Sequence, residues 1–324
     1  MVTRKKTILI FGITSFVGSN LAEFLKKDFR VVGTYFSNKI TIPEIMTIPC
    51  DVLSKEEVQL AVFAIKPDIV IYAVGLSSLT DANIGGSLSD KLNTLGLFNV
   101  AEYGQRFKSK ICYISSGYVF GGENKYYLEM DIPDATTVYG KTKASAEFYI
   151  QKNSLDYLLF RCSALYGRGI NSFSMTSFEI LQKKISENKN SACDNYVHTG
   201  FLDIYFLAMA IKLCIDNNIS NRLMQVSSRD IKTFFEFAQL YCKIFGAPEE
   251  LISKGRWPFP HVASATSTYT GGDSYYQLDV SNIEGILNIS MPTVEESLKF
   301  TSKRFNGESI DIKKTQTSNV IKFI

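Results

Sequence analysis

The nearly all-apolar run Thr7-Ile-Leu-Ile-Phe11 passes directly into Gly12-Ile-Thr-Ser-Phe-Val-Gly18, beyond which Val17, Leu21, Phe24 and Leu25 recur at helical spacing. A strand that is apolar at successive positions needs cover on both faces, which predicts a buried strand of a parallel sheet. Glycine lets backbone amides approach a pyrophosphate, whose charge is stabilised at the positive end of the following helix. Strand, glycine turn and helix therefore read as the first half of a dinucleotide-binding unit, with a plain strand-to-helix turn as the alternative. Gly12, Thr14, Ser15, Phe16, Val17 and Gly18 are its candidate cofactor-binding residues. Ser15 holds the middle place of a Gly-x-x-Gly-x-x-Gly pattern. Its amide can donate and its hydroxyl is expected to reach a phosphate, in less room than glycine would leave.

The alternation continues along the chain. Arg30 to Tyr35 reads as a second strand, and no acid follows it to hold a ribose 2′-hydroxyl. Tyr35, Ser37, Asn38 and Lys39 offer donors that suit a 2′-phosphate, so NADP(H) is expected in preference to NAD(H). Ile45 to Cys50 is a third strand, with Asp51 and Val52 placed for an adenine, although Asp51 reads equally well as a cap for the helix from Ser54. Pro67 to Ala73 is a fourth strand, and Ala73-Val-Gly75 leaves space for a flat ligand. A helical pattern from Ser87 to Phe107 carries Asn93, and Lys110 to Ile114 and Asp156 to Arg161 follow as strands. Strands alternating with helices predict an α/β fold, a Rossmann-type doubly wound parallel sheet with right-handed crossovers.

Residues 1–165 are expected to form the dinucleotide-binding domain, with later sheet strands returning from the C-terminal half. Residues 166–305 read as a smaller interleaved α/β substrate domain and 306–324 as a tail. In that second part helical patterns span Asn171 to Asn188, Gly200 to Asn217 and Ile231 to Phe245, and residues 253–282 read as loops. Trp257, the single tryptophan, is a candidate substrate contact or a packing anchor.

Composition removes several classes. The 324 residues carry 35 basic and 32 acidic side chains, a net +3, with no basic run interleaved with aromatics, so a nucleic-acid surface is not expected. Six cysteines without a Cys-x-x-Cys pair and two histidines argue against a metal site. The longest apolar run, Ile204 to Ile211, is far below spanning length, and no signal peptide is read at the start, so no membrane partner and a cytoplasmic location are expected.

Chemistry is expected between Ser115 and Lys143. If Thr136 or Thr137 caps a helix, Tyr139 and Lys143 stand four apart on one face. The ammonium is expected to favour the phenolate and so to make Tyr139 a better proton donor and acceptor near neutral pH, while Ser116 steadies a carbonyl oxygen beside it.

The ordered set of Gly12 to Gly18, Asp51, Ala73-Val-Gly75, Asn93, Ser115-Ser116, Tyr139 with Lys143, and Arg161-Cys-Ser-Ala-Leu-Tyr-Gly167 resembles the extended short-chain dehydrogenase/reductase family over roughly residues 7–300. Ser115-Ser-Gly-Tyr-Val-Phe-Gly-Gly122 looks most like its dTDP-4-dehydrorhamnose reductase branch, as does Cys193-Asp-Asn-Tyr196 followed by Asp203 and Ala208. The resemblance implies hydride transfer between a nicotinamide and a carbon of a nucleotide sugar. Tyr139 would protonate the keto oxygen, Lys143 would hold the nicotinamide ribose, and Ser116 would polarise the carbonyl. Asn93 would organise its helix or a proton-relay water. It also implies cofactor contacts at Val74, Ser115, Cys162, Ser163 and Leu165, and substrate contacts at Ser78, Gly117, Tyr118 and Asn171.

Departures narrow the expectation. The branch usually has an acid where Gly117 stands, and acids near Ser78, Thr80 and Asn83. The acidic pair that sugar 4,6-dehydratases carry after the hydroxyl residue is replaced by Gly117-Tyr118, which disfavours elimination. Three readings follow: a keto-sugar nucleotide reductase, a sugar-nucleotide epimerase with tightly held NAD, and an NADP-binding regulatory or scaffold subunit. A homodimer is a candidate assembly.

Overall fold

The computed structural model describes residues 4–75, 88, 90–154, 156–170, 174–259 and 272–308. The expected tail lies largely outside them. The N-terminal half runs β1 (Thr7–Phe11), α1 (Phe16–Leu25), β2 (Arg30–Tyr35), β3 (Met46–Pro49), α2 (Lys55–Ile65) and β4 (Ile69–Tyr72). A π-turn, Lys91–Gly96, leads into α3 (Leu97–Arg106). Next come β5 (Lys110–Ser116), β6 (Tyr126–Tyr127), α4 (Val138–Asn153), β7 (Tyr157–Cys162) and β8 (Ala164–Tyr166). The remainder supplies α5 (Ser177–Ser186), β9 (Ser191–Asp194), β10 (Val197–Thr199), β11 (Phe201–Asp203), α6 (Ile204–Asp216) and β12 (Arg222–Val226). The last elements are α7 (Phe234–Phe245), β13 (Ile252–Gly255), β14 (Ser274–Leu278), α8 (Ser281–Leu287) and α9 (Val294–Phe305).

Seven strands form one sheet in the order β12-β7-β5-β4-β1-β2-β3, with every neighbouring pair parallel. The physical reason for the continuous apolar run in β1 is visible in its side chains. Ile8 and Ile10 enter the core under α1, α6 and α8, while Leu9 and Phe11 enter the core under α2, α3 and α4. Each β1 side chain is thus buried whichever way it points. The Ile204 to Ile211 run is interior on α6 except for Tyr205, which is half-buried. No helix among the described residues is long and apolar enough to cross a membrane.

A third core joins α5, α7 and α9 through Phe178, Phe237 and Leu298. Two expectations for this half require correction. The helix expected from Gly200 begins at Ile204, because Phe201–Asp203 pairs with β8 and the Asp203 carboxylate then accepts from Tyr205 N–H as the helix cap. The stretch expected as loops over 253–282 contains β13, paired with β9, and β14, paired with β10 and β6. Short strands at the rim lack the periodicity that a long helix writes into its sequence.

Candidate functional site

The carboxyl end of β5 carries Ser115 and Ser116 as its last two residues. Thr137 caps α4 by accepting from Gly140 N–H, which places Tyr139 and Lys143 on successive turns. Gly140 is required there, since a Cβ would lie 1.9 Å from the Tyr118 carbonyl oxygen. Its absence lets α4 press against the turn after β5. The Ser116 hydroxyl accepts from Tyr118 N–H at 3.2 Å and lies beside the Tyr139 phenol.

These groups line a cleft of about 520 Å3 at the carboxyl ends of the central strands, the position where open α/β sheets bind ligands. Ser15, Phe16 and Val17 form one wall with Ala73, Val74 and Gly75. Ser115, Ser116, Tyr118, Tyr139 and Lys143 form the floor, and Cys162, Ser163 and Leu165 the side. Met175, Phe178, Phe201, Phe234, Pro258 and Phe259 also line it, and sequence reasoning selected none of them. Their signal is diffuse, because aromatic residues there look like any core.

Burial dominates the electrostatics of the floor. It pushes the Tyr139 phenol up to about 12, with Ser116 pulling it partly back, and it lowers Lys143 to about 8. The expected activation of the phenol by the ammonium is therefore not what this state holds. Lys143 Nζ donates to the Ile114 carbonyl at 3.0 Å and lies 5.7 Å from the Tyr139 ring centroid, and desolvation is the largest influence on both groups.

Sequence reasoning missed the residue one turn beyond Lys143. Glu147 is buried on the same face of α4 and accepts from the Ser115 hydroxyl and from Arg161 of β7, whose Nη2 lies 2.8 Å from Oε2. Arg161 Nη1 also reaches the Glu129 carbonyl, and Glu129 Oε1 accepts from Gln225 N–H on β12. Continuing the four-residue spacing from Tyr139 and Lys143 would have found Glu147.

The other expected residues are placed as follows by their local contacts. The Ser15 hydroxyl, expected at a phosphate, instead caps α1, accepting from Gly18 N–H at 2.9 Å and donating to the Gly12 carbonyl at 2.8 Å. Thr14 lies in the same turn. Gly12 adopts φ +84°, and a Cβ there would come within 2.9 Å of the Ala73 backbone. Tyr35 ends β2 and is followed by exposed Ser37, Asn38 and Lys39. Asp51 turns its own chain by accepting from Leu53 N–H, while Ser54 caps α2. Val52 packs near Gly96. Asn93 is buried behind Gly75 and donates to Thr142 of α4 at 3.0 Å. Gly117 faces Leu278. Trp257 packs edge-on against Phe234 beneath Lys184 and leaves the cleft wall to Pro258 and Phe259, which favours the packing reading. Ser78 and Asn171 lie outside the described residues. Among the described residues no group of three His, Cys, Asp or Glu side chains is placed to hold a metal ion.

The parallel strand order, the glycine turn before the first helix and a ligand-sized cleft at the carboxyl ends of the strands define a Rossmann-type α/β fold. The chain belongs to the family described as RmlD substrate binding domain, whose model matches residues 6–306. It is 25% identical over 193 residues to methionine adenosyltransferase 2 subunit beta of Rattus norvegicus, covering 59% of this chain and 56% of that one. The chain thus spans little more than half the length of that relative. It is 24% identical over 235 residues to dTDP-4-dehydrorhamnose reductase of Aggregatibacter actinomycetemcomitans, covering 71% and 76% respectively. In fold it is similar to dTDP-4-dehydrorhamnose reductase of Bacillus anthracis in complex with NADP, with TM-score 0.77, 20% identity, and coverage of 94% of this chain and 100% of that one.

Proposed function

We propose that this chain reduces a keto-sugar nucleotide with NADP(H), Tyr139 delivering the proton. The observation that carries the reading is the convergence of Ser116, Tyr139 and Lys143 on one cleft walled by the turn after β1 and by Ala73 to Gly75. The residues fit a dinucleotide. Phe16 and Val17 lie in the first turn of α1, whose amides lack intrahelical acceptors, and the bare Gly12 allows close packing on Ala73. Val74 and Gly75 would flank the adenosine side, with Tyr35, Ser37, Asn38, Lys39, Asp51 and Val52 beyond, and Cys162, Ser163 and Leu165 the nicotinamide side.

When bound, the reduced nicotinamide supplies a hydride to the keto carbon. The chain's own residues manage the charge that results. Ser116 donates to the carbonyl oxygen, and the protonated Tyr139 transfers its proton as negative charge grows there. Lys143 holds a positive charge next to the phenolate so formed, and its hydrogen bond to Ile114 fixes it in place. Asn93 braces the π-helical turn against α4 through its bond to Thr142. The test is consumption of NADPH with dTDP-, UDP-, GDP- and CDP-linked 4-keto sugars. Turnover without added cofactor would point to the epimerase reading instead.

A second reading is favoured by the rat relative, a subunit of a methionine adenosyltransferase: an NADP-binding regulatory partner without turnover. Under it NADPH binds, no keto sugar is reduced, and Tyr139→Phe leaves assembly with an adenosyltransferase catalytic subunit intact.

A further inference from the structure

Three consecutive residues of β5 meet three successive turns of α4. The Ser116 hydroxyl lies beside the Tyr139 phenol in the cleft floor, the Ile114 carbonyl accepts from Lys143 Nζ at 3.0 Å, and the Ser115 hydroxyl donates to Glu147 Oε1. The first two contacts belong to the chemistry already described. The third is buried behind it, since Glu147 does not line the cleft.

Glu147 also reaches the next strand. Ser115 of β5 and Arg161 of β7 are register partners in the parallel ladder, one step before Ser116 and Cys162. Arg161 Nε lies 3.1 Å from both carboxylate oxygens of Glu147, and Nη2 lies 2.8 Å from Oε2. One carboxylate from α4 thus takes hydrogen bonds from facing residues of two adjacent strands, a single ladder step below cleft-lining Ser116 and Cys162. Arg161 is fixed in turn: its Nη1 donates to the Glu129 carbonyl at 3.2 Å, and its guanidinium lies 4.9 Å from the Phe120 ring centroid.

A buried ion pair gives little net stability over an apolar pair of the same volume. What a charged, hydrogen-bonded pair adds is direction, because each bond weakens steeply as its angle opens. Here the direction sets how the end of β5 faces α4. The groups at that boundary are Ser116 and Tyr139, which under the proposed reaction must meet one carbonyl oxygen together. We propose that Glu147 is a positioning residue, acting through Ser115 to hold Ser116 and Tyr139 at the spacing the reduction needs. This rests on the function proposed above and adds to it a residue one layer behind the reacting groups.

The experiment compares wild type, Ser115→Ala, the double variant Glu147→Leu, Arg161→Met, and the triple variant that joins them, all as full chains. The probes are NADPH and 4-keto-6-deoxyhexoses linked to dTDP, UDP, GDP and CDP. Stopped-flow oxidation of NADPH is followed with enzyme in excess over the keto sugar. Its first-order rate constant then reads the chemical step in folded molecules, while loss of folded protein lowers only the amplitude. Ser115→Ala, which removes the link and no charge, is expected to slow that rate constant about 10–10²-fold, with NADPH affinity and the KM for the keto sugar within about twofold of wild type. The double variant is expected to slow it to a similar extent, and the triple variant no further, because all three cut one connection. A wild-type rate constant in Ser115→Ala overturns the inference, even where the double variant is too unstable to assay. A lowered amplitude at an unchanged rate constant overturns it in favour of a purely structural pair. Losses that add in the triple variant, or weakened NADPH binding in Ser115→Ala, overturn it in favour of separate roles. A wild type that binds NADPH and reduces none of the four sugars overturns the proposed function itself, and this inference with it.

Discussion

Lys143 donates to the Ile114 carbonyl at 3.0 Å and lies 4.8 Å from the centroid of the Tyr113 ring, so its charge is anchored to β5 and not to the Tyr139 hydroxyl. The ammonium, carried by α4, is thus tied to the strand that also delivers Ser115 and Ser116. Four predictions follow from the geometry of this corner.

Burial holds Lys143 at about 8, below its ordinary 10.5. The unfolded chain therefore binds more protons than the native one between those values, and this group makes stability rise as pH increases through that window. Tyr139, held at about 12 against 10.0, acts oppositely, but only above its ordinary value. Urea unfolding of wild type and Lys143→Met is expected to show wild type gaining roughly 2 kcal/mol relative to the variant between about pH 8 and 10. Parallel curves for the two proteins would contradict the buried ammonium.

Tyr139→Phe keeps the ring that packs on Tyr118 and removes the proton donor. Turnover of a keto-sugar nucleotide is expected to fall by about 10²–10⁴-fold, with NADPH affinity nearly unchanged. Stopped-flow oxidation of NADPH beside equilibrium titration separates the two effects.

Glu147 and Arg161 are buried together, with side chains only 2% and 3% exposed. Removing one partner strands a charge in the interior, so Glu147→Leu and Arg161→Met are each expected to cost about 3–5 kcal/mol. The double variant Glu147→Leu, Arg161→Met leaves no stranded charge and is expected to recover much of that loss in chemical denaturation. An additive loss would show that the pair stabilises through separate contacts.

Ser15 bonds Gly18 N–H and the Gly12 carbonyl within one turn. Ser15→Ala is expected to destabilise the protein by about 1 kcal/mol through loss of the cap, read as a lower melting temperature. NADPH binding should survive, since the first-turn amides of Phe16 and Val17 are untouched.

Legibility varied with the range of the interaction. Six of the seven sheet strands were readable because most of them write a run of apolar residues, as in β1 with its two-sided burial. Tyr139 and Lys143 were readable because helical spacing is local and Thr137 supplies the expected cap. Asp51 was ambiguous for the same reason, since a carboxylate that turns its own backbone looks like one that awaits a ligand. Trp257 was undecided because its partners, Phe234 and Lys184, are remote in the chain.

The order of residues alone determined the alternating architecture, the glycine turn and the shared helical face of the phenol and the ammonium, because each depends on neighbours a few positions apart. Only the folded chain decided that Glu147 would meet Arg161 and Ser115, and that desolvation would dominate at Tyr139 and Lys143. Burial and long-range pairing are properties of the assembled core, set by which distant segments exclude water from one another, and no local pattern records them.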